Sequence, residues 1–420
     1  MNICLVSREY PTDDHVGGIG TYTEKTARAL ASLGLTVDVI TEARAEPSTR
    51  VEDGVTVHRL RPTRARLLRA LVRSRAVARE IESLPEPPDI VQACEFRAEA
   101  FWYSFRKPAR TKLVTRLATP SFLVRKLNGR SARLSALRHA YIDWPERIQT
   151  ARSDGIISIT HALARVVCDT WGLPETRMAV VKTGVDFSRR YAGRSTALPA
   201  ELSGCEYLLF FGRLEERKGV HILAQAMPDI LAAHPQLHIV FAGNSVLFNG
   251  EPMQSFVERC NLAFIDRLHF FQRLPHEALH SLLANALFAV LPSLWEGMGN
   301  VSLEALDMGK AVVATRHSGF EEVIEDERSG LLVEPSDVAE LKGAILALLD
   351  DRALLHRLSV GARSRAETFE LTRVTRDLIA FYQSLLTAPG QRRHGVTDLR
   401  DQSAEVLGDQ YVGTARSQRM

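Results

Sequence analysis

Short apolar runs and helical stripes trade places along most of this chain. The runs Ile3 to Ser7, Thr36 to Thr41, Val55 to Leu60, Asp89 to Ala93 and Lys112 to Leu117 are short and rich in branched residues, which predicts strands. Stretches with apolar positions three and four apart lie among and after them: Thr21 to Leu33, Arg64 to Ile81, Ser135 to Ala151 and His161 to Trp171. A second series follows, with strands at Tyr207 to Phe211, Leu237 to Ala242, Leu268 to Phe271, Ala286 to Leu291 and Leu331 to Val333. Its helices are Val220 to Ala232, Val301 to Met308, Asp337 to Leu349, Arg352 to Thr368 and Leu371 to Leu386. Strand and helix in alternation argue for parallel sheets covered on both faces, an α/β class.

Length decides how many such sheets to expect. A chain of 420 residues exceeds one ordinary core, so two domains are expected. Residues 187–204 are polar and aperiodic and read as the linker. The first domain is then 1–186, the second 205–368, a last helix spans 369–387, and 388–420 has no apolar period and is expected to be disordered. Five scattered cysteines form no C-x-x-C pair, so neither a zinc site nor a disulfide framework is expected. Met1 leads straight into a strand and no apolar stretch could cross a bilayer, so a cytoplasmic protein is expected.

The net charge of +3 conceals an uneven distribution. From Arg61 to Arg138 there are 18 Lys and Arg against 6 Asp and Glu. In the stretch Arg64 to Ile81, Leu67, Leu68, Leu71 and Val72 share a face flanked by Arg66, Arg69 and Arg73. That helix is either an outer, solvated helix of the sheet or a surface for an anionic acceptor or membrane. No nucleic-acid partner is expected.

Candidate chemistry concentrates at strand ends. After Ala286 to Leu291 comes PSLWEGMGNVSLEALDMGK, with Glu296 in a loop and Glu304 about one turn inside the next helix. Gly297 and Gly299 let backbone approach a ligand, and the amides of Asn300 and Val301 open the helix, a seat for an anion. Carboxylates so placed can accept hydrogen bonds from neighbouring hydroxyls, as sugars offer. The strand Tyr207 to Phe211 runs into GRLEERKG, where Arg213 and Lys218 project two cations from the edge at which open α/β sheets bind ligands. Near the start, Gly17, Gly18 and Gly20 form a strand-to-helix loop, without the G-x-G-x-x-G spacing of dinucleotide enzymes.

The E-x7-E pair Glu296 and Glu304, followed by GKAVVAT and SGFEEVI, closely resembles the donor-binding core of retaining family 4 glycosyltransferases. The resemblance covers about residues 1 to 386. It implies a GT-B fold, two Rossmann-like domains with parallel sheets facing a cleft, with the acceptor bound by the first domain and the nucleotide sugar by the second. It also implies that the last helix crosses back to the first domain. Glu304 would hold the nucleotide ribose, Glu296 hydroxyls of the transferred sugar, Arg213 and Lys218 the diphosphate, and Gly17 and Gly18 would let the first domain approach it. The implied reaction moves a hexosyl unit from a UDP-type donor to an unidentified hydroxyl acceptor, with retention, no protein nucleophile, no bound metal and no cofactor.

Two positions depart from the family pattern: Ala118 stands where a histidine near the reacting sugar is common, and Thr183 replaces the Asn of an Asn-Gly-Val-Asp turn. Ala118 bears on the sugar contacts, with Thr119 a candidate substitute. A sugar-nucleotide epimerase of the same architecture and a non-catalytic nucleotide-sugar binder stay open as alternatives, and a dehydrogenase is weaker for want of the fingerprint.

Overall fold

The computed structural model describes residues 1–10, 18–44, 46–63, 69–127, 136–187, 198–272 and 274–387. Gly17, most of the linker and the tail from 388 lie outside them. The first sheet is built from β1 (Asn2–Val6), β2 (Thr36–Glu42), β3 (Ser48–Glu52), β4 (Val55–Leu60), β5 (Ile90–Cys94), β6 (Lys112–Arg116), β7 (Gly155–Ser158) and β8 (Met178–Val180). Its order is β3-β4-β2-β1-β5-β6-β7-β8, parallel throughout except for β3 against β4. The helices are α1 (Gly18–Ser32), α2 (Arg69–Ser83), α3 (Phe101–Arg106), α4 (Ser121–Leu127), α5 (Ala136–Arg152) and α6 (His161–Trp171). The central strands are buried on both faces, as their continuous apolar runs require.

The second sheet holds β9 (Glu206–Phe211), β10 (Leu237–Ala242), β13 (Leu268–Phe271), β14 (Ala289–Leu291), β15 (Val312–Thr315) and β16 (Gly330–Val333). A small hairpin of β11 (Leu247–Phe248) and β12 (Glu251–Pro252) stands apart from it. Its order is β13-β10-β9-β14-β15-β16, all parallel. Around it lie α7 (Val220–Ala233), α8 (Met253–Cys260), α9 (His276–Asn285), α10 (Asn300–Asp307), α11 (Val338–Asp350) and α12 (Arg352–Glu367). The architecture is two Rossmann-like domains. In each sheet the strand order reverses once, between β1 and β5 and between β9 and β14, and such switch points open a crevice at the strands' carboxyl ends.

Several contacts among the described residues tie the halves together. The helix α13 (Leu371–Thr387) leaves the second domain and packs Val374, Leu378 and Tyr382 against Ile3, Leu5 and Val39, and Tyr382 Oη donates to Gln92 Oε1 at 2.8 Å. The loops after β14 and β15 meet the first domain directly: Thr160 Oγ1 donates to the Gly297 carbonyl at 2.6 Å, and Ala162 N to Glu322 Oε1 at 3.0 Å. Met298, 1% exposed, accepts from Thr183 N on its sulfur. Burying that side chain contributes about 1.5–3 kcal/mol to the junction.

One expected face is reversed. Residues 64–68 lie outside the described chain, and α2 buries Arg73, Ser74, Val77, Ala78 and Ile81 while Val72 is 43% exposed. The sheet side of the helix takes a charged residue because Arg73 meets Glu99 at 2.5 Å and Glu42 at 3.3 Å, so its charge is buried with counter-charges.

Candidate active site

The loops after β9 and β14, neighbours at the second switch point, converge on one carboxylate. Glu296 is 7% exposed, and its Oε1 accepts from Lys218 Nζ, from Arg217 Nη1 at 3.1 Å and from Ser293 Oγ at 3.3 Å. Burial pushes its pKa up, but the charges of Lys218 and Arg217 outweigh that and hold it below the usual carboxylate range, so it stays ionised. Arg217 Nη2 donates to Glu215 at 2.9 Å, and Arg213, 58% exposed, reaches the same Glu215 oxygen at 3.1 Å. The result is a chain of alternating charge, Arg213–Glu215–Arg217–Glu296–Lys218.

Local backbone makes that convergence possible. The turn Glu216–Lys218 ends at Gly219 in the left-handed region, φ 67°, and a Cβ there would lie 1.7 Å from the Pro292 carbonyl oxygen. Only glycine lets the two loops touch. Leu294 N donates to the Arg217 carbonyl at 2.9 Å and completes the link.

Further along, α10 starts at Asn300 behind Gly299, φ 71°, where a Cβ would strike the Phe320 ring at 2.2 Å. The amide end of α10 faces the other domain, since a Cβ on Gly18 would stand 3.2 Å from Asn300 Nδ2. The structure thus brings Gly18, Asn300 and Val301 to one place. Glu304 lies just past the first turn of the same helix, half-buried. Burial raises its pKa, with Lys25 of α1 opposing and Asp307 adding to the rise. Among the described residues its carboxylate makes no hydrogen bond. Glu304 does not join the Glu296 network, so the two glutamates occupy separate environments along the same cleft.

The first domain contributes its own switch point. The ends of β1 and β5 line a cavity with Ser7, Arg8, Cys94, Phe96 and Arg97. Arg97 and Ala98 both have left-handed backbone, φ 64° and 49°. Buried carboxylates hold these loops: Glu146 accepts from Arg97 N at 2.8 Å and from Ser121 N and Oγ, and Glu95 from Ala118 N at 2.8 and 2.9 Å. Burial raises both pKa values, that of Glu146 to about 7. The Ala118 carbonyl lies against Gly297, and the Thr119 hydroxyl donates to that carbonyl at 2.6 Å, so Thr119 is committed locally.

Sequence reasoning named Arg213, Lys218, Glu296, Asn300, Val301, Glu304 and Gly18, and passed over Arg217, Glu215 and Ser293. The only hint for the missed residues was the alternation of acid and base in LEERKG, which does not say which charges turn inward.

Known proteins resemble this chain in sequence and in fold. The family described as Glycosyltransferase Family 4 matches residues 16–189, and that described as Glycosyl transferases group 1 matches residues 200–365. The chain belongs to the family 4 glycosyltransferases. It is similar to the D-inositol 3-phosphate glycosyltransferase of Acidothermus cellulolyticus, 29% identical over 428 residues that span 93% of this chain and 90% of that one. Glycogen synthase of Mycobacterium tuberculosis is 28% identical over 390 residues, spanning 87% and 90% of the two chains. Among solved structures, sucrose-phosphate synthase from Thermosynechococcus elongatus superposes with a TM-score of 0.73 at 20% identity, covering 91% of this chain and 98% of that one. Anabaena HepE in complex with UDP and glucose gives 0.67 at 19% identity, covering 91% and 100%. These likenesses give the glycosyltransferase the GT-B fold.

Proposed function

We propose that this glycosyltransferase moves a hexosyl unit from a UDP-linked donor to a hydroxyl acceptor with retention of anomeric configuration. The observation that carries the proposal is the meeting of Lys218 and Arg217 on Glu296 beside the amide end of α10, with Glu304 unengaged a turn further on. A donor diphosphate is doubly anionic, and Arg213, Lys218 and the amides of Asn300 and Val301 are the groups that stabilise it as it departs. Glu304 accepts from the ribose hydroxyls, and Glu296 orients the sugar.

The glycosyl carbon–oxygen bond to phosphate breaks as the acceptor oxygen bonds that carbon on the same face. The acceptor proton passes to the departing phosphate oxygen. No side chain serves as nucleophile, and the protein's own cations carry the charge that a metal would otherwise meet. The acceptor enters by the first-domain cavity, whose polar lining of Ser7, Arg8, Glu9, Arg97 and Glu99 offers both donors and acceptors to a hydroxyl compound. Relatives named for D-inositol 3-phosphate, a hydroxyl-bearing compound, support a hydroxyl acceptor.

A thermal-shift screen of nucleotide sugars in EDTA, followed by product analysis, tests the proposal. A donor at 100 times its Kd stabilises the fold by about 2.7 kcal/mol. If no nucleotide sugar stabilises the protein or is consumed, the reading fails; if turnover needs added Mg or Mn, its metal-free part fails.

A further inference from the structure

The exposed aromatic side chains of the described residues gather on two neighbouring helices of the first domain. Among the described residues, the exposed Trp, Tyr and Phe side chains are Trp102 (39%), Phe105 (46%), Tyr141 (36%) and Trp144 (55%), and all four belong to α3 and α5. The buried ring of Phe101 underlies the cluster, with centroids 5.4 Å from Trp102, 5.2 Å from Phe105 and 5.5 Å from Trp144. Tyr141 lies three residues before Trp144, on the same side of α5. Such rings gain by burial yet stand in water, and a patch of this kind marks an interaction site.

Arginines border the patch. Trp102 Nε1 donates to the Leu71 carbonyl at 3.1 Å and its backbone N to Ser74 Oγ, which lays α3 along α2. The outward positions of α2 are Arg69, Val72, Arg75 and Arg79, all exposed. The guanidinium of Arg152 lies 4.1 Å from the Phe105 ring centroid, and Arg106 is exposed beside it. The neighbouring acids are already engaged: Glu82 by Arg106, Glu99 by Arg73 and Asp143 by Arg125.

Aromatic rings bordered by arginine fit the polar boundary of an anionic bilayer, where amphipathic rings settle among headgroups and arginines meet lipid phosphates. A second copy of the chain fits poorly, because a two-fold interface here would press these arginines against their own equivalents. We propose that this face docks the enzyme on an anionic membrane surface, with Trp102, Phe105 and Trp144 entering the headgroup layer and Arg69, Arg75 and Arg79 facing anionic lipid. The docking is independent of the donor site and stands whether or not the proposed transfer reaction is correct.

The test uses the full chain and sedimentation with vesicles of phosphatidylcholine alone or mixed in equal parts with phosphatidylglycerol. Binding to the mixed vesicles at low salt is expected, falling steeply as salt rises. Phe105→Ser with Trp144→Ser should weaken it about tenfold or more, and each neutralised α2 arginine about fivefold. In the wild type, brominated lipid should quench tryptophan emission, a readout that needs no variant. The proposal is overturned by absence of binding to mixed vesicles at low salt or by absence of quenching. It is also overturned by a folded double variant that binds normally, or by a wild-type dimer that the double variant dissolves, which would make a second copy the occupant.

Discussion

Replacing the two cleft glutamates by alanine should produce opposite signatures, because the structure gives them opposite surroundings. Glu304 has no hydrogen bond to lose among the described residues, and burial already disfavours its charge, so Glu304→Ala should leave stability within about 0.5 kcal/mol of wild type. Its cost appears only when nucleotide binds: losing hydrogen bonds to a charged group costs about 1.5–3 kcal/mol, roughly tenfold to over a hundredfold in affinity for the nucleoside diphosphate. Glu296→Ala removes the acceptor shared by Lys218, Arg217 and Ser293, stranding buried positive charge with Glu215 as the remaining counter-charge. Breaking such a buried pair costs about 3–5 kcal/mol, visible in urea denaturation. Nucleoside diphosphate affinity should hold steady or rise, since Lys218 no longer has a carboxylate competing with phosphate, while transfer falls because the sugar loses its orienting group. Calorimetry with UDP and denaturation of the same two proteins resolve the four quantities. The reasoning is falsified if Glu304→Ala binds UDP like wild type, or if Glu296→Ala keeps full stability.

Arg213→Ala and Lys218→Ala should lower kcat more than they raise KM, with Lys218 the larger effect because Arg213 is 58% exposed and its charge is screened; steady-state kinetics with wild-type kcat in both would remove them from the diphosphate site. The pKa of Glu146, raised by burial from the ordinary 4.5 to about 7, makes the unfolded chain the weaker proton binder between those values. Its contribution to stability is therefore present below pH 4.5 and lost as pH rises through 7, and Glu146→Gln should gain relative to wild type by on the order of 3 kcal/mol across that window. Urea denaturation at pH 5 and pH 8 checks this, and a pH-independent difference would contradict it.

Much of the fold is legible because central strands of a parallel sheet bury both faces and so appear as continuous apolar runs. His161–Trp171 was predicted to the residue, since Thr160 caps it and Gly172, φ 66°, ends it. β3 escaped notice because STRVE is polar and mostly exposed and therefore carries no alternation; the signal lay next to it in Asp53 and Gly54, φ 50° and 78°, a hairpin pair. α3 is only six residues long, too short for a helical period to register. The α2 face was misassigned because periodicity ranks residues by hydrophobicity, whereas Arg73 is buried by its pairing with Glu99 and Glu42, partners 26 and 31 positions away in the chain.

The same limit explains why the convergence of loops in the second domain was easier to read than that in the first. The groups proposed to bind the donor are close in sequence, with Arg213 to Lys218 in one loop and Glu296 to Glu304 in another, and adjacent strands β9 and β14 bring the loops together. The first-domain loops are held by buried side chains. Glu146, on α5, fixes the left-handed turn at Arg97 and the start of α4 at Ser121, while Glu95 fixes the backbone at Ala118. Each is fully buried and bears the cost of desolvation, Glu146 for two backbone amides and a hydroxyl, Glu95 for the Ala118 amide and the Cys94 thiol. Nothing in the residues around Glu95 or Glu146 distinguishes them from solvated glutamates in a helix or turn. Their role exists only once the strand order β1-β5-β6 has placed those loops side by side, and the alanine at 118 is then a position whose backbone is held in place by a carboxylate that no local pattern in the sequence announces.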